Sequence, residues 1–382
     1  MEENSKNNEP LNKDFKVPKL RFKSIPANYK SDFISTIFKC VGGGTPSTKN
    51  TAFWDGPIPW VGSSSLIENN VNDLLISKHI SKVALENSSS KLLAPFSILV
   101  VTRVGVGKVA VNKVPLCTSQ DFCNLYAKNI NSYYFAYLIQ HLLIKKISQG
   151  STIQGISSKE IKKIQLNYPS LEEQNKIANF LNIIESKIKI LESKINILKK
   201  YKEGLINSWF NYKGNTVKLN TLVNPKVSQL LTNQIKNNFG KYIVYDASGA
   251  PYKKIDFFNN SSNSIAIIKY GSGCGRTFLT FGNHSVLGTM IELVPKNIND
   301  LEYIYAFTQS NIFKKTCTKY IEIGTTPNLY FSDYGSSNLY YPTNKIKFIT
   351  SIKGIENRII RHEEMLDSLH KLKKQLLNDL FI

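Results

Sequence analysis

Two short segments of this sequence place paired glycines directly before a basic side chain. They are Gly105–Lys108 and Gly273–Arg276, and their first glycines lie 168 residues apart. Because glycine has no side chain, its backbone can approach a phosphate closely, and the adjacent lysine or arginine supplies positive charge. Tight turns at strand ends would use the same glycines, so the pattern is compatible both with phosphate contact and with a purely structural turn.

A polar segment follows each glycine pair and is also repeated. Ile147–Thr152 reads Ile-Ser-Gln-Gly-Ser-Thr, and Ile321–Thr326 reads Ile-Glu-Ile-Gly-Thr-Thr. Hydroxyl and amide side chains can bind phosphate oxygens and base edges, although a solvated loop would have the same composition. The repetition favours two equivalent loops that face a nucleic acid, with candidate contacts Gln149, Ser151, Thr152 and Gln154 in the first loop and Thr325, Thr326 and Asn328 in the second.

Other candidate contacts are basic, aromatic and hydroxyl side chains elsewhere in the two halves. Lysines interleaved with aromatic rings suit contact with bases and the sugar-phosphate backbone, whereas any one of them could equally be a solvated surface residue. This group of candidates comprises Thr45, Lys49, Arg103, Tyr245, Tyr252, Lys253, Lys254 and Tyr270.

The sequence lacks the motifs of common nucleotide-using and metal-using enzymes. It has no Walker A motif, and Gly271–Arg276 lacks the final glycine of a dinucleotide-binding fingerprint. It also has no Asn-Pro-Pro-Tyr-like motif for base methylation and no nuclease-like Pro-Asp with a downstream Glu-x-Lys. The five cysteines and five histidines have no zinc-site spacing, so we expect reduced cysteines that pack in cores. We therefore predict no catalytic residue and no metal site.

The composition predicts a multidomain protein with a polyanionic partner. The chain has 382 residues, of which 42% are hydrophobic, and a net charge of +21. This length predicts two or more domains and excludes a disordered chain or a disulfide miniprotein. The apolar stretches are too short to span a membrane, and the polar N-terminus has no apolar signal core, so we expect a cytoplasmic protein.

The repeats divide the chain into two similar halves. We predict a flexible tail over 1–19, globular units over 20–168 and 214–342, and long helices over 169–213 and 343–382. The positive charge lies mainly in the globular units, which carry +10 and +5.

Each globular unit is predicted to be α+β. Short β-rich runs such as Ser97–Val101 and Ser264–Ile268 alternate with turns rich in Gly, Pro, Asn and Ser. Short helical candidates lie at 132–144 and 301–315. The pattern predicts a mixed, curved sheet in both units.

The first long helix carries the apolar stripe of a coiled coil. Ser170 followed by Glu173 predicts a capping box at its N-terminus. Ile183, Ile190 and Ile197 form a second apolar face beside the stripe, which predicts a docking surface for a partner protein. The stripe itself consists of Ile177, Ile184, Leu191, Leu198 and Leu205, interleaved with Leu181, Ile188 and Ile195.

The second long helix repeats this pattern less regularly, because His362 and Lys373 interrupt it. Since a whole globular unit separates the helices in the chain, their simplest packing is antiparallel. The predicted architecture is two globular mixed α/β units separated by two long antiparallel helices, with a pseudo-twofold internal repeat. The second stripe comprises Ile352, Ile359 and Leu366 together with Ile355, Leu369 and Leu376.

Several stretches, in a fixed order, resemble one protein family. The ordered set, beside a duplicated helix, resembles the specificity (S) subunit of type I restriction-modification systems, the HsdS family. The second half departs from the pattern, since it has no Gly-Gly-Thr-Pro equivalent and no clear Glu-Glu-Gln after Tyr341-Pro342. The resembling stretches are Val17–Phe22, Gly42–Thr48, Ile58–Gly62, Gln149–Thr152, Ser170–Ala178 and Gly204–Phe210.

The resemblance implies a non-catalytic subunit with two target-recognition domains, at 20–168 and 214–342. Each domain would read one half of a bipartite, asymmetric double-stranded DNA site. The helices would set the spacing and dock two methyltransferase (M) subunits, which restriction (R) subunits join. S-adenosylmethionine would then belong to the M subunits, and ATP and magnesium to the R subunits, so this chain would bind no cofactor.

Other interpretations fit parts of the sequence. The chain could be the specificity partner of a fused methylase-nuclease, or a free-standing DNA-binding regulator that needs no other subunit. An enzyme in its own right would transfer methyl groups or cut DNA without partners. A coiled-coil adaptor for proteins alone would leave the assembled complex without salt-dependent DNA affinity.

Overall fold

The fold is described from a computed structural model of the chain. The described residues are 18–22, 29–148, 155–235, 239–321 and 327–381. By internal contacts the chain forms two compact units, which we call the first unit (residues 1–191 and 365–382) and the second unit (residues 192–364). Each long helix therefore contributes one part to each unit. The five-segment division made from the sequence stays a prediction.

The first unit is built on three small sheets. Its four-stranded sheet has the order β2-β8-β5-β6, its three-stranded sheet has the order β4-β3-β7, and β1 pairs with β9. The β3–β7 pair is parallel and the others are antiparallel. The strands are β1 (Lys30–Phe33), β2 (Lys39–Gly42), β3 (Ile58–Val61), β4 (Lys78–Ile80), β5 (Ile98–Val101), β6 (Val109–Val111), β7 (Cys117–Thr118), β8 (Phe122–Tyr126) and β9 (Gln165–Tyr168).

The second unit repeats this topology strand for strand. Its sheets have the orders β11-β17-β14-β15 and β13-β12-β16, and β10 pairs with β18. The internal repeat predicted from the sequence is therefore present in the fold. The strands are β10 (Thr216–Lys218), β11 (Val223–Val227), β12 (Tyr242–Tyr245), β13 (Pro251–Ile255), β14 (Ser264–Ile268), β15 (Thr277–Thr280), β16 (His284–Val286), β17 (Met290–Pro295) and β18 (Asn338–Tyr340).

The central strands β5 and β14 are buried along their whole length because both of their faces are covered, and apart from Ser264 they are apolar. Along β5, Ile98 and Val100 belong to one core cluster and Leu99 to another. Along β14, Ile265 and Ala266 likewise point to different clusters. Successive side chains of a strand point to opposite faces, so a strand buried on both sides reads as an unbroken apolar run.

Helices cover the sheets. The predicted helix at 132–144 is present as part of α3, and the one at 301–315 is divided into α7 and α8. Ser310 divides it because its backbone is extended and its side chain accepts a hydrogen bond from Phe313 N at 3.3 Å, which caps the second helix. The shorter helices are α1 (Ile34–Ile37), α2 (Lys82–Glu86), α3 (Ser132–Ser148), α4 (Ser158–Lys162), α6 (Leu219–Leu222), α7 (Leu301–Gln309), α8 (Asn311–Tyr320) and α9 (Phe331–Tyr334).

The two long helices are α5 (Leu171–Phe210, 40 residues) and α10 (Lys345–Leu380, 36 residues). In the second unit they run antiparallel, because Lys199 binds Glu363 at 2.7 Å while Lys202 binds Glu356 at 3.1 Å. As α5 advances, its partners on α10 move backwards. The predicted antiparallel packing is thus confirmed there.

The buried stripe of α5 follows the predicted heptads only as far as Ile195. Seven residues after Ile195, the interleaved set reaches Lys202, whose charge is held by Glu356. Burial therefore shifts to Ile206 and Phe210, while Leu198 and Leu205 are only partly buried. On α10 the residues Ile352, Ile355, Ile359 and Leu376 are buried as predicted, and Leu366 and Leu369 are partly buried.

The predicted capping box at α5 is half formed. Glu173 N donates to Ser170 Oγ at 3.5 Å, as expected. The Glu173 carboxylate, however, accepts from Arg21 Nε at 3.1 Å and Nη2 at 2.6 Å, which makes a two-point ion pair with a fully buried carboxylate. A guanidinium satisfies a buried carboxylate better than one backbone amide does. A complete capping box instead starts α4, between Ser157 and Glu160.

In each unit a lysine–glutamate pair joins the two long helices, and the equivalent residues of the two pairs lie 171 positions apart in the sequence. Lys373 binds Glu185 in the first unit, and Lys202 binds Glu356 in the second. The first pair is buried, with both side chains 7% exposed, whereas the second is 29% and 39% exposed. Lys373 Nζ also donates to Asn69 O at 2.6 Å, which ties the loop after β3 to α10.

We predict that Lys373→Met destabilises the first unit by about 3–5 kcal/mol, because the mutation leaves Glu185 buried without its counter-charge. The matched control is Lys202→Met, which should cost about 0–1 kcal/mol because Glu356 remains accessible to water. Urea unfolding followed by circular dichroism measures both changes. Equal losses in the two variants would contradict the assignment of the buried pair.

Candidate nucleic-acid interface

The paired glycines form the turns of two equivalent hairpins. Gly105 and Gly107, between β5 and β6, have φ angles of +99° and +96°. Between β14 and β15, positive φ occurs at Gly271 (+91°) and Gly275 (+84°). These angles require glycine for the turn itself. The structural interpretation is thus supported for Gly105, Gly107 and Gly275, whereas Gly273 of the second pair has no positive φ. The phosphate interpretation stays a prediction.

In the first unit the hairpin turn meets two other segments. Arg103 forms an isolated bridge with Gly155, the first described residue after the polar loop. The Nε atom of Arg103 lies 3.1 Å from Asp121 Oδ1. Gln120, which precedes Asp121, accepts a hydrogen bond from Thr45 Oγ1. The turn, the Gly-Gly-Gly-Thr-Pro stretch and Gly155 therefore lie together.

The glycines of that stretch serve close backbone packing. A Cβ on Gly43 would lie 2.1 Å from Ser119 O, and one on Gly44 would lie 2.3 Å from the backbone of Ser89. Larger residues would push the loop away from its neighbours. The stretch consequently holds Thr45 against Gln120, while Lys49 lies exposed a few residues further on.

One basic and aromatic group in the first unit was missed by the sequence reasoning. Lys78 Nζ lies 5.7 Å from the ring centre of Trp54 and 5.8 Å from that of Trp60, and the two indoles pack edge to face. Lys78 and Trp54 line a cleft of about 570 Å³ beside the edge strand β4. These residues are separated in sequence and share no motif, so only the fold brings them together.

The second unit has an equivalent arrangement with different side chains. Tyr270 bridges Asn328, and Gly271 N donates to Pro327 O at 3.0 Å, so the hairpin again meets the first described residues after the polar loop. Lys269 Nζ lies 4.5 Å from the Tyr270 ring centre. Arg276 donates to Ala247 O at 2.8 Å and lines a cleft of about 660 Å³.

The basic, aromatic run of the second unit is divided by the fold. Tyr252, Lys253 and Lys254 lie on the edge strand β13, where Lys253 Nζ donates to Ile235 O at 3.2 Å. Tyr245 is different: it is 8% exposed and packs in a core cluster against Phe278. The prediction that Tyr245 contacts nucleic acid is therefore corrected. Tyr245 packs in the core, because β12 is the central strand of its sheet.

Six predicted contacts lie outside the described residues: Gln149, Ser151, Thr152, Gln154, Thr325 and Thr326. They remain predictions. The structure places only the residues that follow these loops, beside the two hairpin turns.

The second apolar face of α5 is exposed as the sequence indicated. Ile183, Ile190 and Ile197 are 56%, 53% and 64% exposed, whereas the neighbouring stripe residues Ile184 and Leu191 are 5% and 6% exposed. Three isoleucines at seven-residue spacing on one helix give a continuous apolar strip.

A fully buried polar network joins strands β14, β16 and β17 of the second unit. One oxygen of Glu292 accepts hydrogen bonds from His284 Nε2 and Ser264 Oγ, both at 2.6 Å, and from Asn260 Nδ2 at 2.9 Å. Burial raises the pKa of Glu292, but these three hydrogen bonds outweigh it and hold this pKa below the ordinary 4.5. At the equivalent position of the first unit, Asn124 donates to Thr118 Oγ1 at 2.8 Å.

The cysteines behave as packing residues. Burial raises the pKa of the Cys117 and Cys123 thiols to about 11 and that of Cys317 to about 12, so all three stay protonated at neutral pH. Over the described ranges, no group of three or more His, Cys, Asp or Glu side chains could hold a metal. No helix in the same ranges combines the length and the apolar character needed to cross a bilayer.

Comparison with known proteins agrees with this arrangement. Residues 26–200 match the family described as "Type I restriction modification DNA specificity domain". The chain is 33% identical over 194 residues to the type I restriction enzyme MjaIX specificity subunit of Methanocaldococcus jannaschii, covering 49% of this chain and 44% of that protein. It is 30% identical over 173 residues to the EcoR124I/EcoR124II specificity subunit of Escherichia coli, covering 43% of this chain and 42% of that protein.

The likeness in fold extends further than the likeness in sequence. The S subunit of a type I restriction-modification system from M. genitalium superposes with a TM-score of 0.60 at 18% identity, covering 96% of this chain and 99% of that one. The sequence matches span less than half the length of the two curated relatives. Residues 26–200 therefore match the family that the motifs of the first half predicted, and the chain has the fold of the solved S subunit.

We predict that Glu292→Gln reduces the acid sensitivity of the second unit. Because folding lowers the pKa of Glu292, its charge stabilises the unit above pH 4.5, and this contribution is lost as the pH falls below 4.5 through the folded-state pKa. The variant should be less stable than wild type at pH 7 but should lose less stability between about pH 5 and pH 3. Thermal unfolding across this range is the measurement.

The control for this prediction is Glu302→Gln, which removes a half-exposed carboxylate from the same unit. It should keep the wild-type pH dependence. An unchanged acid transition in Glu292→Gln would show that the buried network does not set it.

Proposed function

We propose that this chain is the non-catalytic DNA-specificity subunit of a type I restriction-modification complex, and that each unit reads one half of a bipartite, asymmetric DNA site. One observation carries the proposal: each unit, in the same topology, has a hairpin turn beside the first described residues after a polar loop, and each has a basic edge strand. Both curated relatives are named specificity subunits. Two readers joined in one chain can recognise two different half-sites.

The side chains of these surfaces divide into two kinds by what they contribute to binding. Lys49, Lys108, Lys254 and Arg276 neutralise phosphates and release counterions, which gives affinity that falls with salt and ignores sequence. Hydroxyl, amide and guanidinium groups at base edges supply sequence choice. Arg103, held by Asp121, is the candidate for this second role in the first unit.

The asymmetry of the site follows from the divergence of the two units. Arg103 and Tyr270 are the bridge residues of the two hairpin turns, yet one is a cation and the other an aromatic ring. Such residues cannot present the same donors and acceptors to a base pair. A duplicated scaffold with different contact residues therefore selects two different half-sites.

In this proposal the chemistry belongs to other subunits. The chain binds no cofactor; S-adenosylmethionine and adenine N6 methylation belong to two methyltransferase subunits, and ATP and magnesium to restriction subunits. The lack of methylation, nuclease and Walker motifs in the sequence supports this division. We place the complex in the cytoplasm, on its chromosomal DNA substrate.

The exposed isoleucine face of α5 is the proposed docking site for a methyltransferase subunit. An apolar strip of three half-exposed isoleucines is costly to leave in water, and covering it stabilises a complex. Its place on a long helix separates it from the hairpin turns in the sequence. DNA contact and subunit contact would thus use different elements.

Exchange of residues 214–342 for the corresponding segment of another specificity subunit tests the two-reader proposal. We expect one half-site to change to that of the donor while the other is kept, because each unit has its own turns and loops. Single-molecule sequencing of methylated adenines in cells that also make the partner subunits gives the readout. Exchange of 20–168 is the reciprocal control, and altered recognition of both half-sites by either exchange would refute independent readers.

Lysine substitution at Ile183, Ile190 and Ile197 together tests the docking face. We expect assembly with the methyltransferase subunit to be lost in size-exclusion chromatography, because three charges would have to be buried without partners. The helix itself should persist, since these side chains are already exposed in the free chain. Ile346→Lys, a substitution of a 71% exposed isoleucine on α10, is the control and should assemble normally. Undiminished assembly of the triple variant would remove α5 from the interface.

A further inference from the structure

The first unit contains a cavity of about 520 Å³ that no step of the proposed DNA recognition uses. It lies between the second half of α3 and the last turns of α10. Gln140, His141 and Lys145 line it from α3, and His370 and Lys374 line it from α10. Its size is in the range of cavities that bind small molecules.

The charge around this cavity is one-sided. Five of its lining side chains are basic, namely His141, Lys145, His370, Lys373 and Lys374, and none of the lining residues given by the structure is a carboxylate. The charge of Lys373 is already balanced by its ion pair with Glu185, which does not line the cavity. Burial, together with Lys145, lowers the pKa of His141, so its uncharged ring can donate one hydrogen bond and accept another at neutral pH. Lys374 then supplies positive charge and the histidine rings supply N–H donors, so the cavity favours an anionic ligand.

Gln140 gives a second, independent indication of a ligand. It is 2% exposed, and its Nε2 has no hydrogen-bond partner within the described part of the chain. Buried amide donors are nearly always paired, because an unpaired one loses its hydration without compensation. An oxygen acceptor in the cavity would satisfy it.

The internal repeat provides a natural comparison within the same chain. In the second unit, Lys202 and Ile206 occupy the positions of Lys373 and Leu377, 171 residues earlier, and line a cavity of only about 70 Å³. The glutamine of that cavity, Gln309, donates through Nε2 to Thr277 Oγ1 at 2.6 Å.

That smaller cavity also contains two carboxylates, those of Glu302 and Glu356. Among the described residues, space, positive charge and an unused amide donor therefore occur together in the first of these two cavities and not in the second. The packing shared by the repeat does not require them.

We propose that the cavity of the first unit binds the phosphate group of a nucleotide-sized ligand. Phosphate oxygens accept from Lys374, His370 and the Gln140 amide, and the remainder of the ligand packs on the apolar wall of Ile144 and Leu377. A free nucleotide and a phosphate of the DNA backbone share this chemistry. The deep burial of Gln140 favours the free nucleotide, because a duplex cannot enter a cavity of this size.

Calorimetric titration of the full-length chain with pyrophosphate and with AMP, at constant ionic strength, tests the proposal. We expect saturable binding of both, weakened about tenfold by Lys374→Ala and by Gln140→Met, since each removes a hydrogen bond to a charged group. Lys371→Ala is the matched control, because it removes the same charge from α10 outside the cavity lining. It should bind as the wild type does. Circular dichroism verifies that the Gln140→Met chain is folded.

Competition with an unlabelled duplex then identifies the source of the phosphate. Release of AMP by the duplex assigns the site to the DNA backbone, and retention of AMP assigns it to a free nucleotide. Equal weakening by Lys371→Ala and Lys374→Ala, or no saturable binding of either probe, overturns the proposal. These results are independent of half-site recognition, so the proposed function and this site can fail separately.

Discussion

Each globular unit depends on segments of the long helices to complete its core. In the first unit, Leu380 and Phe381 at the end of α10 join the core formed by residues of α3 and the four-stranded sheet, and Phe381 packs against Tyr134 with ring centres 5.5 Å apart. In the second unit, Phe210 at the end of α5 packs against Tyr303 at 5.3 Å. Apolar burial is the main favourable term in folding, so neither unit can be detached from the helices without losing part of its core. The surfaces proposed to read DNA rest on this shared packing.

The duplication conserves packing and leaves the polar interior free to diverge. The strand orders and the aromatic contacts recur, but the carboxylate of Glu292 in one unit corresponds to the amide of Asn124 in the other. The same holds for the lysine–glutamate pairs, one buried and one partly solvated. Close packing restricts side-chain volume strongly, whereas a buried polar group needs only that its own partners be present. Two units of one topology can therefore acquire different contact surfaces and, in the first unit, a different cavity.

The candidate interface is assembled from parts that have structural reasons of their own. Positive φ angles explain Gly105 and Gly107, and close backbone packing explains Gly43 and Gly44. Once these backbone positions are set, neighbouring polar and basic side chains are held on a rigid support rather than on isolated loops. Rigid placement lowers the entropy lost on binding and sharpens the choice between base pairs. Structural glycines and recognition residues are thus adjacent for a physical reason.

The sequence by itself determined the features that depend on local periodicity. Seven-residue spacing predicted the long helices and the exposed face at Ile190, and repeated short motifs predicted two units of one topology, because helix and strand geometry impose these periods directly. Only the tertiary structure decided which remote groups meet. It directed the Glu173 carboxylate to Arg21, 152 residues away, placed Lys78 beside two indoles, and buried Tyr245 in a central strand. Such contacts have no period in the sequence, because they depend on which elements pack together. They also depend on burial, since a polar group that loses its hydrogen bonds to water must find partners in the protein.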